Sequence, residues 1–461
     1  MIADLRPYPE YKESGLPWLG SVPVHWHEWR LDRLFEQRNE TPVPDDQRVT
    51  GYLSGRVTLR SNVHGQKIKG VIKDGGWKRV YPGDFAISGM NAHLGGMGVS
   101  DSLGKCSPIY IVLKPKRGTN AHFVSHAVRH IAHTGALKSF VNTIRFNSAD
   151  FKRDALKLFR VLLPDEDEQA AIVRFVDSAN GRLERAIRAK RKVIALLNEK
   201  KQAIIHRAVT RGLDPSVPLK PSGIPWLGDI PKRWSVLRSK YIFREVDSRS
   251  TTGEETHLSM SQKMGLIPSS LIEEKRLVSE SYVGAKLCEK GDLVLNRLKA
   301  HLGVFALAPE RGLISPDYTV FRPVRELEAR YFEAVYRTPA CRVELRRRAK
   351  GIVQGFWRLY TDDFYDIRMP VPSVDEQKCI MAQLDIDLSG VKTAVTRLER
   401  EITLLREYRT RLVADVVTGK LDVRAVAHSL PVEAEEPAVA EAEDLSDEND
   451  SEADLSEDAH E

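Results

Sequence analysis

A thirteen-residue phrase occurs twice in this chain. SGLPWLGSVPVHW at residues 14–26 returns as SGIPWLGDIPKRW at residues 222–234, which is 208 positions later. Other pairs at the same offset are Gly83-Asp84 with Gly291-Asp292, Ala92-His93-Leu94-Gly95 with Ala300-His301-Leu302-Gly303, and Asp167-Glu168-Gln169 with Asp375-Glu376-Gln377. Because the offset stays constant along most of the chain, it indicates the duplication of a complete structural unit.

Length and composition set the class of protein. A chain of 461 residues is too long for one hydrophobic core, so we expect two or more domains. Its 42% hydrophobic and 29% charged residues are typical of a globular protein, and it shows neither a membrane-spanning apolar run nor a secretory signal pattern. The absence of a C-x-x-C pair predicts a cytoplasmic protein whose cysteines are small buried hydrophobic residues: Cys106, Cys288, Cys341 and Cys379.

The net charge divides unevenly along the sequence. Residues 432–461 contain fourteen Asp and Glu and no Lys or Arg, so the overall charge of +6 becomes +20 for residues 1–431. A basic body favours a polyanionic partner, nucleic acid first, although it also suits simple solubility. We predict that the acidic tail is disordered and solubilising. A second interpretation is that it screens the basic surface against nonspecific DNA.

Each repeat combines a mixed segment with a long helix. The runs PIYIVLKP at 108–115 and DYTVFRP at 317–323 predict strands, and helical patterns follow them. The acidic DEDEQ and the capping-box pattern SVDEQ then predict the starts of two long helices. Gly212 and Gly419 predict where these helices end.

An apolar seam with heptad spacing runs along both predicted helices. An apolar stripe of this length, roughly 60 Å at ~1.5 Å per residue, needs a partner helix, so we predict an antiparallel coiled coil. The alternative is that each helix packs only on its own domain. Antiparallel helices would place one domain towards each end and match the local two-fold axes of duplex DNA. The seam residues are Leu183, Ile187, Ile194, Leu197, Ile204, Val391, Val395, Leu398, Ile402, Leu405, Leu412 and Val416.

Searches for catalytic and metal motifs give only weak matches. GVSDSLGKC at 98–106 has one residue too many between its glycines for a phosphate loop, and Cys106 stands where Ser or Thr is required. HFVSHAVRHIAH places four histidines on one helix face, but the second copy has Arg330, Ala334, Thr338 and Cys341 there. A polar or DNA-facing helix face is therefore favoured over zinc. We predict a chain without catalytic residues, resident metal or cofactor.

Basic clusters with interleaved aromatic residues are the best candidates for a DNA interface. Lys and Arg contact phosphates, and Arg, Lys, Asn and Gln can read base edges. Taken singly, each is more often a solvated surface charge. The candidates are Lys67, Lys69, Lys73, Lys78, Arg79, Asn91, His93, Asn142, Arg145, Asn147, Lys299, His301, Arg346, Arg347, Arg348, Lys350, Gln354, Trp357 and Arg358.

The repeated motifs resemble those of one known family. The twice-occurring S-G-[LI]-P-W-L-G-x-[VI]-P-x-x-W phrase, the two Gly-Asp turns and the two P-x-x-D-E-Q helix starts are similar to those of the DNA-specificity subunits of type I restriction-modification systems. The resemblance covers nearly the whole chain apart from the acidic tail. It implies an α+β chain with two similar target-recognition domains in tandem, separated by two long helices that form an antiparallel coiled coil.

The resemblance also implies domain boundaries and partners. Residues 1–163 and 213–371 would be the target-recognition domains, residues 164–212 and 372–420 the spacer helices, and residues 421–461 the tail. Each recognition domain would read one half of a bipartite, asymmetric site on double-stranded DNA. The helices would set the spacer and dock two methyltransferase subunits, with restriction and translocase subunits joining the full complex. S-adenosylmethionine, ATP and Mg²⁺ would belong to those partner subunits.

Two rival functions follow from the same residues. One is a self-sufficient DNA methyltransferase or nuclease, which would act on DNA without partners. The other is an assembly scaffold whose basic surface binds protein or RNA. DNA reading differs from scaffolding because its affinity falls steeply with ionic strength and keeps a sequence preference at physiological salt.

Overall fold

The computed structural model describes residues 5–64, 76–137, 142–145, 148–150, 153–261, 264–271, 282–351 and 357–430. Its helices are α1 (Leu31–Leu34), α2 (Arg60–His64), α3 (Ala121–His133), α4 (Arg153–Leu158), α5 (Glu166–Arg211), α6 (Ala329–Tyr336), α7 (Pro339–Arg348), α8 (Thr361–Tyr365), α9 (Val374–Val417) and α10 (Arg424–Ala427). None of the helices in these ranges is long and apolar enough to cross a membrane.

The strands are short and fall into two sets. The first set is β1 (Tyr11–Glu13), β2 (Ser21–Pro23), β3 (His27–Arg30), β4 (Phe35–Gln37), β5 (Val49–Gly51), β6 (Val57–Leu59), β7 (Lys78–Val80), β8 (Phe85–Ser88), β9 (Met97–Val99), β10 (Gly104–Cys106), β11 (Tyr110–Pro115), β12 (Asn142–Arg145), β13 (Ser148–Asp150) and β14 (Arg160–Leu163). The second set is β15 (Leu219–Pro221), β16 (Asp229–Pro231), β17 (Ser235–Arg238), β18 (Phe243–Val246), β19 (Ser248–Arg249), β20 (Leu258–Ser261), β21 (Gly265–Pro268), β22 (Lys286–Cys288), β23 (Leu293–Asn296), β24 (Phe305–Leu307), β25 (Gly312–Ile314), β26 (Tyr318–Pro323) and β27 (Arg368–Val371).

The chain divides into two compact units. Unit 1 contains the residues up to Arg188 and those from Glu401 onward, and unit 2 contains Ala189–Arg400. We call the part of each unit outside α5 and α9 its head. Unit 1 therefore contains the first half of α5 and the last part of α9, and unit 2 contains the second half of α5 and the first part of α9. The boundaries at residues 163, 212, 371 and 420 remain predictions.

The same four-stranded antiparallel sheet lies at the centre of each head. The strand order is β4-β11-β8-β9 in unit 1 and β18-β26-β23-β24 in unit 2. Alternate residues of the central strand β8 enter two different apolar clusters, with Phe85 and Ile87 on one face and Ala86 on the other. In β23, Leu293 and Val294 divide in the same way. Both faces of the sheet are therefore covered, which explains strands that read as continuous apolar runs.

The two long helices run antiparallel and contact each other within each unit. In unit 1, Leu412 and Val416 of α9 share an apolar cluster with Phe175 and Val176 of α5. In the same unit Arg409 forms an ion pair with Glu184. As residue numbers increase along α5, the contacting residue numbers on α9 decrease, which shows that the two helices are antiparallel. In unit 2, Val209, Ile380, Leu384 and Leu388 belong to one cluster. The helices also pack on the heads through these clusters, so the interpretation that each helix packs only on its own domain is wrong.

All twelve predicted seam residues are shielded from solvent to some degree. Five are buried: Ile187, Val391, Ile402, Leu412 and Val416. The other seven are partly buried: Leu183, Ile194, Leu197, Ile204, Val395, Leu398 and Leu405. By contrast, Leu196 and Leu404 lie off the seam and are exposed by 54% and 52%.

The helix ends agree with the capping signals in the sequence. The Asp165 carboxylate accepts a hydrogen bond from the Glu168 amide at 2.8 Å, and the Ser373 hydroxyl accepts one from the Glu376 amide at 3.3 Å. Just beyond the helices, Gly212 and Gly419 have φ values of 77° and 75°, which is the left-handed region. The predicted starts and ends of both helices are therefore confirmed.

One cysteine differs from the expectation. Cys106, Cys288 and Cys341 are buried, and burial raises the pKa of the Cys106 thiol to about 12 and that of Cys288 to about 11. Cys379 is exposed, so its predicted burial is wrong. The buried neighbours on α9 are Gln377, Ile380 and Leu384, and a helix turns residue 379 away from that face.

Candidate nucleic-acid interface

The repeated D-E-Q motif joins the start of α5 to the entrance phrase of head 1. Glu168 is buried and accepts hydrogen bonds from the Tyr8 hydroxyl at 2.7 Å and the Trp26 indole N–H at 2.9 Å. Its other carboxylate oxygen lies 2.8 Å from His25 Nε2. Gln169 Oε1 accepts a hydrogen bond from the amide of Asn120, which caps α3. The motif thereby fixes the orientation of head 1 on the helix.

Unit 2 repeats the clamp with one change. Gln377 Oε1 accepts a hydrogen bond from the Glu328 amide at 2.9 Å, which matches the contact of Gln169. Glu376 instead pairs with the Arg233 guanidinium at 2.6 Å, because arginine stands where unit 1 has His25. The Trp234 indole N–H is buried, and no hydrogen-bond acceptor for it lies among the described residues. The two repeated phrases thus serve to mount each head on its helix.

The repeated Gly-Asp turn anchors the central strand of each sheet. Asp84 is buried, accepts a hydrogen bond from the Tyr81 amide at 2.9 Å and binds Arg38 Nε at 2.7 Å. Asp292 likewise binds Arg322 Nε at 2.8 Å. The two arginines come from different sequence positions, so the offset of 208 gives no signal for them. Buried, hydrogen-bonded pairs of this kind hold the loops before the candidate residues in place.

The Ala-His-Leu-Gly segment forms an exposed turn after the central strand in both heads. In head 1 Asn91 and His93 are half-buried, and the following Gly95 has a φ of 89°. In head 2 the Asn296 side chain caps the turn by accepting from the Leu298 and Lys299 amides, and Lys299 is exposed. This turn presents polar and cationic side chains that could contact DNA.

The same turn carries an exposed leucine in both heads, which is not among the residues predicted from the sequence. Leu94 and Leu302 correspond at the offset of 208, and their side chains are 44% and 42% exposed. The repeat pairs the two leucines in the sequence, but only the structure shows that both are exposed. An exposed leucine beside polar side chains suits contact with a thymine methyl group or the edge of a base step.

Lys78 has a structural position rather than a surface one. Its ammonium group donates hydrogen bonds to the carbonyl oxygens of Tyr110 at 2.5 Å and Pro108 at 3.2 Å. The corresponding Lys286 donates to the carbonyl of Tyr318 at 2.9 Å. Burial lowers the pKa of both lysines. Because both copies use the lysine to tie two strands together, the geometry favours a structural role for Lys78.

Arg79 is partly neutralised by its surroundings. Its Nε lies 3.1 Å from the buried carboxylate of Asp46, and its guanidinium lies 5.3 Å from the Tyr81 ring centroid. Arg48 lies over Trp77 at 5.6 Å in the same head. Arginines stacked on aromatic rings keep a planar face and several N–H donors oriented, which suits contact with phosphates or bases.

A cationic surface lies in head 2 around the end of α7. Arg346 stacks over Trp357 at 5.4 Å, and Arg347 is 71% exposed. The backbones of Lys350 and Arg358 pair with each other at 2.9 and 2.8 Å, while Leu359 donates to the carbonyl of Arg297 beside Lys299. The structure therefore brings most of the predicted second-repeat residues to one surface, which we call the α7 surface: Lys299, Arg346, Arg347, Arg348, Lys350, Trp357 and Arg358.

Several arginines and lysines of the α7 surface have acidic neighbours. Arg348 Nε lies 2.6 Å from Glu344, and Lys350 Nζ lies 2.8 Å from Asp363. Arg358 is 3.7 Å from Asp317, a distance that leaves the guanidinium accessible to another anion. The side chains of Lys350 and Arg358 are 67% and 49% exposed, so phosphates can compete with the carboxylates for these two cations.

The histidine-rich helix α3 packs under the head 1 turn. His126 is half-buried, and desolvation lowers its pKa to about 3. Burial also lowers the pKa of His130 and His133. Arg129 donates to the carbonyl of Leu53 at 2.9 Å, and its guanidinium lies where a side chain on Gly55 would be. This helix therefore presents neutral imidazoles beside a cation, in a position that supports the turn.

Some predicted residues lie outside what can be described. Lys67, Lys69, Lys73, Asn147 and Gln354 are outside the described residues. Asn142 and Arg145 belong to β12, and His301 belongs to the turn in head 2, but their side chains are likewise outside the described set. Their contact with DNA remains a prediction.

Comparisons with known proteins show similarity at the level of the fold. No protein-family model matches the chain, and no curated protein matches it. A solved structure concerning complex assembly and conformational transition of the type I R-M system is 17% identical and covers 87% of this chain and 99% of that chain, with a TM-score of 0.59.

Two other solved structures align over similar lengths. The HsdS subunit from Thermoanaerobacter tengcongensis is 17% identical, covers 89% of this chain and all of that chain (100%), and has a TM-score of 0.43. The type I restriction-modification S subunit from M. genitalium is 12% identical, covers 89% of this chain and 98% of that chain, and has a TM-score of 0.34. Because only the first TM-score exceeds 0.5, the conclusion rests on that structure alone: the chain shares the fold of a protein from a type I R-M system over most of its length.

Proposed function

We propose that the chain is the DNA-recognition subunit of a type I restriction-modification complex and that it has no catalytic activity of its own. The observation that carries this proposal is the duplicated head with one sheet order, mounted through the same D-E-Q clamp on an antiparallel helix pair. The fold shared with a type I R-M protein supports it. A chain with two heads built alike but lined by different side chains suits a target with two different halves.

Each head would read one half of a bipartite duplex target. In head 2 the arginines of the α7 surface would contact phosphates and guanine edges. The guanidinium of Arg346 stacks over the Trp357 ring, which orients its N–H donors. In head 1 the turn bearing Asn91 and His93 corresponds to the turn of head 2 that bears Lys299. Because Asn91 and Lys299 occupy corresponding positions but differ in chemistry, the two half-sites would differ in sequence.

The helix pair would set the gap between the half-sites and dock two methyltransferase subunits. Restriction and translocase subunits would complete the complex, and S-adenosylmethionine, ATP and Mg²⁺ would be bound by these partners. Four residues inserted into each helix at matching seam positions would add about 6 Å, which is near two base pairs. The preferred gap should then lengthen by that amount while both half-sites stay the same.

The test is to map methylated adenines after reconstitution with a pair of type I methyltransferase subunits. Replacing residues 1–163 with the head of another recognition subunit should change one half-site only. The unmodified chain with the same partners is the matched control. Methylation or cleavage by the chain alone, or a change in both half-sites, would overturn the proposal.

A further inference from the structure

Each head places an arginine against its Ala-His-Leu-Gly turn. The turn ends at a glycine in the left-handed region, with φ values of 89° at Gly95 and 71° at Gly303. A Cβ atom on Gly95 would lie 3.8 Å from Arg129 Nε, and a Cβ atom on Gly303 would lie 2.8 Å from Arg342 Nε. Both arginine side chains therefore lie beside the turn that carries candidate DNA contacts.

The two arginines do not correspond in the sequence repeat. At the offset of 208, Arg129 corresponds to Arg337, and Arg342 corresponds to Thr134. Head 1 has one helix, α3, where head 2 has α6 and α7, and the second of these begins at Pro339. Two copies whose helices have diverged still bring an arginine to the same glycine, which indicates a role for the charge itself.

Among the described residues, neither guanidinium has an acidic partner. The Nε atoms of Arg129 and Arg342 are buried and have no hydrogen-bond acceptor in that part of the chain. Arg129 donates a hydrogen bond to the carbonyl of Leu53 at 2.9 Å. Burial and the charge of Arg409 lower the pKa of Arg129 to about 10, and burial and the charge of Arg337 lower that of Arg342. Because burying a cation without a partner is unfavourable, an anion that reaches it stabilises it.

The surroundings leave room for an anion at both arginines. Arg129 and Arg342 are half-buried rather than enclosed. In head 2, Arg346 follows Arg342 by one helical turn and is exposed, and the exposed Lys299 belongs to the turn itself. In head 1, His133 takes the position one helical turn after Arg129, and burial lowers its pKa. A phosphate at the turn would therefore meet a guanidinium in both heads, with further cations beside it in head 2.

We propose that Arg129 and Arg342 are the equivalent phosphate-binding residues of the two heads, each contacting one backbone phosphate of duplex DNA beside the Ala-His-Leu-Gly turn. The assignment rests on the proposed function and deepens it, because it gives two heads with different side chains one anchoring contact in common. A phosphate contact carries no sequence information. It fixes the position of the turn on the duplex while neighbouring side chains read the bases.

The salt dependence of duplex binding by the full chain tests the assignment. One phosphate contact changes log K by about 0.9 per tenfold change in salt concentration. Arg342→Gln should therefore lower the slope of log K against log salt concentration by about 1 and weaken binding about five- to tenfold at 0.1 M salt. Adding Arg129→Gln should lower the slope by about 1 more. An unchanged slope in both variants would overturn the assignment.

Arg337→Gln is the matched control. It removes a positive charge near Arg342, but Arg337 pairs with Glu333 at 3.0 Å and corresponds to Arg129 only in sequence. Its slope should equal that of the unaltered chain. A decrease as large as that of Arg342→Gln would show a general effect of charge and would overturn the assignment.

Two further measurements separate phosphate binding from a structural role. Arg342→Lys keeps the charge and should restore most of the slope, whereas an arginine that only supports the turn would change Tm in Arg342→Gln and leave the slope alone. Phenylglyoxal modification of the unaltered chain, read by mass spectrometry, needs no variant to fold. With duplex at about ten times Kd, modification of Arg342 should slow about tenfold, and an equal rate with and without duplex would overturn the assignment.

Failure of the assignment and failure of the proposed function give different results. If the unaltered chain binds no duplex at any salt concentration, the proposed function is wrong and the phosphate contacts fall with it. If the unaltered chain binds duplex with a steep salt dependence that neither arginine variant changes, only the assignment of Arg129 and Arg342 is wrong.

Discussion

Glu168 connects the entrance phrase, helix α5 and the segment after α9, so its removal should destabilise unit 1. Its side chain is 1% exposed and accepts hydrogen bonds from Tyr8 and Trp26, with His25 at 2.8 Å and Arg424 at 3.7 Å. Glu168→Ala leaves two buried donors without an acceptor, at about 1–3 kcal/mol each. Because these contacts share one carboxylate and are not additive, we expect a loss of about 3–4 kcal/mol.

The second repeat provides a matched control. Glu376 occupies the equivalent position, but its side chain is 15% exposed and its partner Arg233 is 56% exposed. An exposed ion pair contributes about 0–1 kcal/mol, so Glu376→Ala should cost about 1 kcal/mol or less. The difference between the two variants isolates the buried hydrogen bonds from the general effect of removing an acid at the third residue of a long helix.

Native-state hydrogen exchange with mass spectrometry gives the readout for each unit. In Glu168→Ala, the slowest amides of β8 and β11 should exchange about 140- to 700-fold faster, since 1.4 kcal/mol corresponds to tenfold. The amides of β23 and β26 should change little. Equal acceleration in both units, or equal costs for the two variants, would refute the reasoning that the buried carboxylate is the anchor of unit 1.

Three further predictions concern pH, helix pairing and DNA. The pKa of His126 is lowered to about 3 in the folded state, so its contribution to the free energy of unfolding is present above the unfolded pKa of ~6.5 and is lost as the pH falls below that value. Between pH 7 and pH 5, the free energy of unfolding of unit 1 should fall by about 1–2 kcal/mol. His126→Asn should reduce this pH dependence, as measured by urea unfolding. At the offset of 208, Lys201 and Lys392 of unit 2 correspond to Arg409 and Glu184, which form an ion pair in unit 1. Burial, together with the positive charges of Lys392 and Arg337, lowers the pKa of Lys201. Lys392→Glu should therefore stabilise unit 2 by about 1 kcal/mol and raise its Tm by about 2–4 °C, and a lower Tm would contradict the pairing. The double variant Arg346→Ala and Arg347→Ala should weaken nonspecific DNA binding and reduce by about 2 the slope of log K against log salt concentration. Lys290→Ala is the control. An unchanged slope would show that these two arginines do not contact DNA phosphates.

The sequence alone determined the features that depend on local or periodic patterns. The offset of 208 predicted two similar units, because duplicated sequence folds to duplicated structure. Heptad spacing and capping residues predicted the long helices and their ends, since both are properties of a few neighbouring residues. The basic residues of the α7 surface were also found, because charge clusters are visible without knowing the fold.

Only the tertiary structure decided how distant residues meet. The sheet order β4-β11-β8-β9, the burial of Glu168 among Tyr8, Trp26 and His25, and the structural position of Lys78 each join residues far apart in sequence. No local pattern distinguishes a lysine that faces solvent from one that donates to a buried carbonyl. That outcome is set by which strands pair and how the core closes around them, and pairing of this kind is a property of the whole packed unit.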